Sequence, residues 1–152
     1  MAGHITLAMI KPHAVREKNV GKIISRIEEE GFAVLLAKNL VFRPEGVREF
    51  YQEHADKPFF NDLVATMTSG PLWALVLSKP NAVEEWRNLI GNTNSAEASE
   101  GTIRHAFGNH SNTGLNAVHG SDSDHSAFRE IGFFFGREIA MAEKADAANN
   151  QQ

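Results

Sequence analysis

The stretch LWALVLSKPNAVEEWRNLI, residues 72–90, decides the class of fold. Its first part, Leu72 to Leu77, is a continuous apolar run of the length of a buried strand. A helix follows, because Asn81 and Glu84 have the spacing of a capping box at its start. The apolar residues of this helix recur at the spacing of one buried face: Val83, Trp86, Leu89 and Ile90. A strand followed at once by an amphipathic helix predicts helices layered on a sheet.

The N-terminal half repeats this alternation. The run from His4 to Ile10 predicts a strand, and the run from Phe32 to Phe42 predicts a second, buried strand. Between them lies a helix that ends at Gly31, with an apolar face formed by Val20, Ile23, Ile24 and Ile27. Two more helices are predicted before residue 72. One covers 44–53 and begins at Pro44, and the other covers 59–68.

The C-terminal half is less regular. Residues 91–115 have little periodicity and predict a long loop, which in a compact domain is functional or disordered. A short strand over 116–118 and a helix over 123–130 follow, and 133–135 is apolar and predicted to be buried. Residues 143–152 are polar and predict a flexible tail behind one domain over 1–142. The order of elements favours an α/β (α+β) sandwich, with a ferredoxin-like split βαβ arrangement as one candidate.

Composition excludes several classes of function. The 152 residues suit one domain, and the net charge of −4 provides no global attraction to nucleic acid. With no cysteine, the chain has no disulfides, thiolate catalysis or cysteine-bound zinc. The N-terminus lacks a signal-peptide core, and no apolar stretch is long enough to span a bilayer. We therefore expect a cytoplasmic protein without a membrane partner.

The common catalytic motifs are also missing. The chain contains no GxxxxGK[ST], GxGxxG, HExxH or GxSxG pattern, so any nucleotide would be held without a glycine cradle. His105, His110 and His125 stand at irregular spacing in loop sequence and are interpreted as solvated histidines rather than metal ligands. Residues 121–124, SDSD, start like a calcium loop but lack its later ligands, which favours a polar turn and helix cap.

His119 differs from these histidines in its context. A neutral imidazole is a competent nucleophile at neutral pH. Gly120 allows close approach, and Glu130 lies roughly two turns along the following helix, from where it could orient the ring. From spacing alone, a structural histidine and a nucleophile or acid–base group both remain open.

Several other residues have the chemistry of a polyphosphate site. Lys11, Arg87 and Arg104 are either surface charges or, with Thr93 and Asn116, a phosphate grip. Two aromatic residues are equally open. Phe59 is either core or a platform for a base, and Tyr51 either snorkels from the core or donates a hydrogen bond to the imidazole or a phosphate.

The motifs together resemble the nucleoside diphosphate kinase family over nearly the whole chain to about residue 140. The matching segments occur in family order: MIKPHAV (9–15), FYQEHADKPFF (50–60), MTSGP (67–71), GNTN (91–94), EGTIR (100–104), NAVHGSDS (116–123) and EIGFFF (130–135). The resemblance implies a ferredoxin-like sandwich with a four-stranded antiparallel sheet covered by helices. It also implies transfer of the γ-phosphate of a nucleoside triphosphate, mainly ATP, to a nucleoside diphosphate.

The same resemblance implies roles for individual residues. His119 would carry the phosphoryl group, Glu130 would hold the other ring nitrogen, and Ser121 would support that carboxylate. Lys11 and Asn116 would contact the sugar hydroxyls and nearby phosphates. Mg²⁺ would be held mainly by nucleotide phosphates, without a protein metal site. The remaining residues would surround the nucleotide: Arg87, Arg104, Thr93 and His54 at the phosphates, Tyr51 beside the histidine, and Phe59 against the base.

The sequence departs from the family pattern at a few positions. His13 stands where the family usually has Asp, and Ser95 and Glu100 replace prolines that are common there. The segment between Arg104 and His119 is also longer than in many relatives. These changes leave the catalytic set intact but leave the expected homo-oligomer open between hexamer, tetramer and dimer.

Three other functions compete with the kinase. They are a nucleotide-binding regulator without turnover, a nucleic-acid-binding ferredoxin-like module, and a histidine-dependent phosphatase that discharges the phosphate to water. The complete set of site residues argues against the regulator. The acidic charge and the missing aromatic RNP pattern argue against the nucleic-acid module.

Overall fold

The architecture is a sheet with helices on both faces. The computed structural model describes residues 3–150, with side chains described over 3–139. The strands are β1 (Ile5–Ile10), β2 (Ala33–Leu40), β3 (Leu72–Ser78) and β4 (Val118–Gly120). The helices are α1 (Pro12–Arg16), α2 (Val20–Glu29), α3 (Pro44–Phe50), α4 (Phe60–Met67), α5 (Ala82–Ile90), α6 (Ile103–Phe107) and α7 (Asp124–Asn150). Short 3-10 helices cover Gln52–His54 and Ser95–Glu97.

The sheet has the order β2-β3-β1-β4, and all of its neighbouring strands are antiparallel. β1 and β3 occupy the centre, with Ile5 opposite Ser78. β4 pairs with the other edge of β1 and places His119 opposite Met9. This topology confirms the predicted ferredoxin-like sandwich, and residues 72–90 indeed form a strand followed by a helix.

The two faces of the sheet support separate hydrophobic cores. Along β1, Leu7 and Met9 belong to one core, and Ala8 and Ile10 belong to the other. Such alternation follows from the two-residue period of a strand. Both faces of β1 and β3 are covered, which explains why the two strands are apolar except at Thr6 and at the final Ser78. Among the described residues, no helix combines the length and apolar character that would let it cross a bilayer.

The prediction of a buried strand over 32–42 is wrong in one respect. β2 exists, but it lies at the edge of the sheet, and its residues alternate between exposed and half-buried. Leu35 remains 54% exposed. The capping box at Asn81 is also wrong, because Asn81 adopts a left-handed conformation and its side chain makes no capping hydrogen bond. Its carbonyl instead accepts from the backbone N–H of Glu85.

The segment predicted as a long loop contains helical structure. The 3-10 helix Ser95–Glu97 and α6 interrupt it, and the Thr102 hydroxyl caps α6 by accepting from the N–H of His105. Arg104 therefore lies on a helix, not in a loop. The final helix, predicted over 123–130, continues as α7 through Asn150. It thus enters the predicted tail, whose side chains lie outside those described, and the domain boundary and the tail's flexibility stay predictions.

Candidate active site

A carboxylate contacts the His119 ring, and a hydroxyl holds that carboxylate. Its Nε2 lies 2.6 Å from Oε1 of Glu130, which reaches it from α7. The Ser121 hydroxyl donates to the same carboxylate oxygen over 3.0 Å. Ser121 is fully buried and Glu130 is nearly so. Ser121 therefore holds the Glu130 carboxylate in place, and the carboxylate orients the His119 ring. Nδ1 is the ring nitrogen left for other chemistry.

Aromatic side chains pack against this imidazole and bond to its backbone. The rings of Phe50 and Tyr51 meet it edge-on, with centroid separations of 5.4 Å and 6.0 Å. The indole N–H of Trp86 donates to the backbone carbonyl of His119 over 3.1 Å. Burial raises the pKa of Tyr51 above its ordinary value, and the nearby Glu130 carboxylate raises it further. The phenol therefore stays protonated and remains a hydrogen-bond donor.

The imidazole opens into a cleft of about 390 Å³. The structure brings together around this cleft every site residue that the sequence predicts except Ser121, which supports Glu130 from behind. The shared lining consists of Lys11, Tyr51, His54, Phe59, Arg87, Thr93, Arg104, Asn116, His119 and Glu130. These residues come from separate elements, so the cleft exists only in the folded chain.

Lys11 contributes a buried ammonium group to the site. It is 7% exposed, and its Nζ donates to Oδ1 of Asn116 over 2.8 Å. The Asn116 amide in turn donates to the Thr93 carbonyl over 3.0 Å. Burial lowers the pKa of Lys11 to about 7, with a further contribution from the Arg104 charge. An anion bound next to Lys11 would reverse this shift, because it stabilises the charged amine.

Two guanidinium groups line the same cleft. Arg104 is 8% exposed and donates to the carbonyls of Gly91 and Val118, each over 3.0 Å. Its Nε is buried and has no hydrogen-bond partner among the described residues. Burial lowers the pKa of Arg104 to about 10, and the charge of Arg87 adds to the effect. Arg87 is exposed and donates to the Asp122 carbonyl over 3.2 Å.

Phe59 forms the outer wall of the cleft. Its ring is 50% exposed and lies 5.8 Å from the ring of His54. A larger cavity of about 740 Å³ adjoins the cleft and shares Lys11, Phe59, Thr93 and Asn116 with it. An exposed phenyl beside an open cavity can act as a stacking surface.

Sequence reasoning missed part of the lining. Arg129 donates to the Phe50 carbonyl over 3.2 Å, and its guanidinium lies 3.9 Å from Oε2 of Glu130. Glu53 and Asp122 also line the cleft. The side-chain hydrogen bond to Ser126 lowers the pKa of the Asp122 carboxyl, with a smaller contribution from Arg87. In the sequence, only the position of Arg129 next to Glu130 indicates that it could line the cleft.

The carboxylates of the cleft lining are of the ligand type that Mg²⁺ prefers. Among the described residues, no group of three or more His, Cys, Asp or Glu side chains could hold a metal. Mg²⁺ typically binds one or two carboxylates, several waters and substrate phosphates, and the carboxylate of Asp122 lies at the cleft. His105 and His110 are adjacent to each other and bond to backbone carbonyls, and neither belongs to the cleft lining.

The fold and the site define a class, an α/β enzyme with a cationic cleft for phosphorylated substrates around an oriented histidine. Residues 4–139 match the family model described as nucleoside diphosphate kinase. The chain therefore belongs to the nucleoside diphosphate kinase family, whose members are phosphotransferases. This confirms the family that the sequence motifs resemble.

Named relatives agree with the family model. The chain is 52% identical to a nucleoside diphosphate kinase of Pasteurella multocida over 89% of its own length and 96% of the relative's. A solved structure of the Aquifex aeolicus nucleoside diphosphate kinase has a TM-score of 0.84 at 42% identity, covering 87% of this chain and 94% of that one. The Halobacterium salinarum enzyme, solved in complex with CDP, has a TM-score of 0.82 at 39% identity, covering 86% of both chains.

Proposed function

We propose that the protein transfers the γ-phosphate of a nucleoside triphosphate, mainly ATP, to a nucleoside diphosphate by a ping-pong mechanism through phosphohistidine at His119. The observation that carries the proposal is the contact between His119 Nε2 and Glu130 at 2.6 Å. It fixes the tautomer with the proton on Nε2 and leaves the lone pair of Nδ1 for attack. The bound CDP of the Halobacterium salinarum relative supports a nucleotide as substrate.

The first half-reaction balances with the residues of the cleft. The Nδ1 lone pair of His119 attacks the γ-phosphorus, and the bond from that phosphorus to the bridging oxygen breaks to release the diphosphate. The proton stays on Nε2 in the hydrogen bond to Glu130, whose carboxylate stabilises the positive charge that the ring acquires. In the second half-reaction, a terminal oxygen of another diphosphate attacks the phosphorus and the P–N bond breaks. No water is consumed.

The cations would supply most of the rate enhancement. Phosphoryl transfer depends on positioning and charge stabilisation, and Lys11, Arg87 and Arg104 provide three donors around one cleft. Thr93 and Asn116 would bind phosphate and sugar oxygens beside them. Mg²⁺ would be held mainly by the nucleotide phosphates, where it would supply neutralisation of their negative charge.

A labelling experiment tests this function. Incubation with Mg-ATP labelled at the γ-phosphate should give an acid-labile, alkali-stable phosphate on His119, and added GDP should remove it as GTP. A nitrogen-bound phosphate has this stability pattern, whereas an ester on a hydroxyl survives acid. Chromatography of the released nucleotide measures the result. Label on another residue, or release as inorganic phosphate despite excess GDP, would contradict the kinase and in the second case favour a phosphatase.

Phe59 provides a separate prediction about nucleotide recognition. Replacing Phe59 with Ala should raise the KM for ATP and for GTP alike, by about 5- to 100-fold, because stacking on a phenyl is tolerant of base identity. Phe128→Ala is the matched control, since Phe128 is also exposed and does not line the cleft. Initial-rate measurements with both nucleotides check this. An effect confined to one base would indicate readout of its edges instead.

Self-association as a tetramer or hexamer is part of the same proposal. The edge strand β2 leaves Leu35 exposed, and Val41 just beyond it is 59% exposed. Light scattering of the purified protein would give the mass directly. The cytoplasm stays a prediction from the cysteine-free sequence.

A further inference from the structure

Ala117, two residues before His119, has a backbone conformation that residues with a side chain disfavour. Ala117 has a φ of +73°, and the N–H of Val118 donates to the carbonyl of Asn116 over 2.9 Å. This hydrogen bond and this φ are those of the rarer, strained type of γ-turn. Residues with a β-carbon keep such a backbone only when the surrounding structure holds it.

Two groups at the start of α1 hold this turn. The N–H of Lys11 donates to the Ala117 carbonyl over 2.9 Å. The N–H of Ala117 donates to Nε2 of His13, also over 2.9 Å. Ala117 is fully buried and His13 is 4% exposed, so water cannot replace the imidazole as acceptor. Without His13, the turn would combine a strained φ with a buried, unsatisfied N–H.

The turn separates two groups of the proposed mechanism. Asn116, which bonds to Lys11, comes directly before Ala117, and His119 follows two residues later. A change in the Ala117 backbone would therefore move the nucleotide contact and the nucleophile relative to each other. His13 itself does not line the cleft.

We propose that His13 is a positioning residue, whose unprotonated Nε2 holds the strained turn at Ala117 and thereby aligns Asn116 and His119 for phosphoryl transfer. The proposal rests on the proposed function.

This contact makes the alignment sensitive to acid. Nε2 accepts only while it carries no proton, so the proton of the neutral ring resides on Nδ1, 3.8 Å from a Glu17 carboxylate oxygen. Burial lowers the pKa of His13, the Glu17 carboxylate raises it, and the charges of Lys11 and Arg16 lower it. The contact is therefore intact at neutral pH and is lost as pH falls through the depressed pKa.

Two substitutions separate the acceptor from the volume of the ring. His13→Leu keeps a buried side chain without an acceptor and should lower kcat by about 100-fold, the cost of small misplacements in an active site. His13→Gln places an amide oxygen near the position of Nε2, so it should retain most of the wild-type kcat and keep it to lower pH. The measurements are kcat and KM from pH 5 to 8, normalised to the folded fraction by urea unfolding.

Ala117→Gly provides the decisive second variant. Glycine adopts a positive φ without strain, so adding Ala117→Gly to His13→Leu should restore much of the lost kcat. The double-mutant cycle would then show strong coupling between the two sites. A purely structural His13 would lower the free energy of unfolding in the same variants without this recovery of kcat per folded molecule.

The outcomes distinguish this proposal from the proposed function. If wild-type protein fails to label at His119, the proposed function is wrong and His13 has nothing to position. If wild-type protein labels and turns over but His13→Leu matches it, only the positioning role is overturned. Equal losses in His13→Leu and His13→Gln would also overturn it, because the acceptor would then be irrelevant.

Discussion

Replacing His119 with Asn should abolish nucleotide-dependent phosphoryl transfer, lowering kcat by about 10⁴-fold or more, as loss of a nucleophile does in other covalent enzymes. An amide nitrogen is not nucleophilic, because its lone pair is delocalised into the carbonyl. The cationic cleft remains in the variant, since Lys11, Arg87 and Arg104 do not depend on the imidazole for their contacts. Nucleotide affinity should therefore change far less than kcat. Single-turnover transfer and equilibrium binding of ADP measure the two quantities separately.

His125→Asn is the matched control for this variant. His125 is exposed on the first turn of α7 and does not line the cleft, so its replacement should leave transfer close to the wild-type rate. Residual labelling of His119→Asn at the wild-type level would mean that another group carries the phosphate. Simultaneous loss of ADP binding and transfer would instead mean that the imidazole maintains the cleft.

The fold was predictable because its central strands and helices have clear hydrophobic patterns. Leu72 to Leu77 in β3 is a continuous apolar run, β1 is apolar except at Thr6, and α2 and α5 have apolar faces at helical spacing. The error at β2 has a physical reason. An apolar run such as the one around Leu35 predicts a strand. It does not show whether that strand lies at the centre or at the edge of the sheet.

The helices within 91–115 escaped prediction because they are too short for a period to show. α6 covers only Ile103–Phe107 and depends on the Thr102 cap and on packing against its neighbours. Arg104 is placed in the cleft by this helix. Its membership of the site was predictable from the resemblance, but its burial and its bonds to the Gly91 and Val118 carbonyls were not.

The contacts that orient the site span the chain and have no local signal. His13 and Ala117 are 104 residues apart in sequence, and only the pairing of β1 with β4 brings them together. The spacing of His119 and Glu130 made their contact plausible beforehand, since both belong to one short strand–helix unit. The carbonyl partner of Arg129, on α3, could not be inferred from any spacing.

Replacing Lys11 with Met should lower kcat/KM by about 10²- to 10³-fold, the usual cost of one donor that stabilises transition-state charge. Methionine keeps the length and burial of the side chain and removes only the charge and the Asn116 contact. Lys22→Met, at an exposed position on α2, is the matched control. Because burial of an ammonium group is costly, the Met variant should unfold at an equal or higher urea concentration. A large loss of stability would mean that Lys11 supports the fold rather than the reaction.

The lowered pKa of Lys11 gives this prediction a pH dependence with a definite sign. In the free enzyme the amine loses its proton as pH rises through about 7, whereas bound phosphates stabilise the ammonium form. Nucleotide binding should therefore take up a proton above pH 7, and the Lys11 contribution to kcat/KM should fall there by up to about tenfold per pH unit. The contribution of Lys11 to the free energy of unfolding changes with pH in the opposite direction. The unfolded lysine keeps its ordinary pKa near 10.5, so between these values the unfolded chain binds more protons and stability rises with pH. Calorimetry of ADP binding in buffers of different ionisation enthalpy measures the proton uptake, and Lys11→Met should eliminate it. Uptake that persists in this variant would assign the proton to a different group of the cleft.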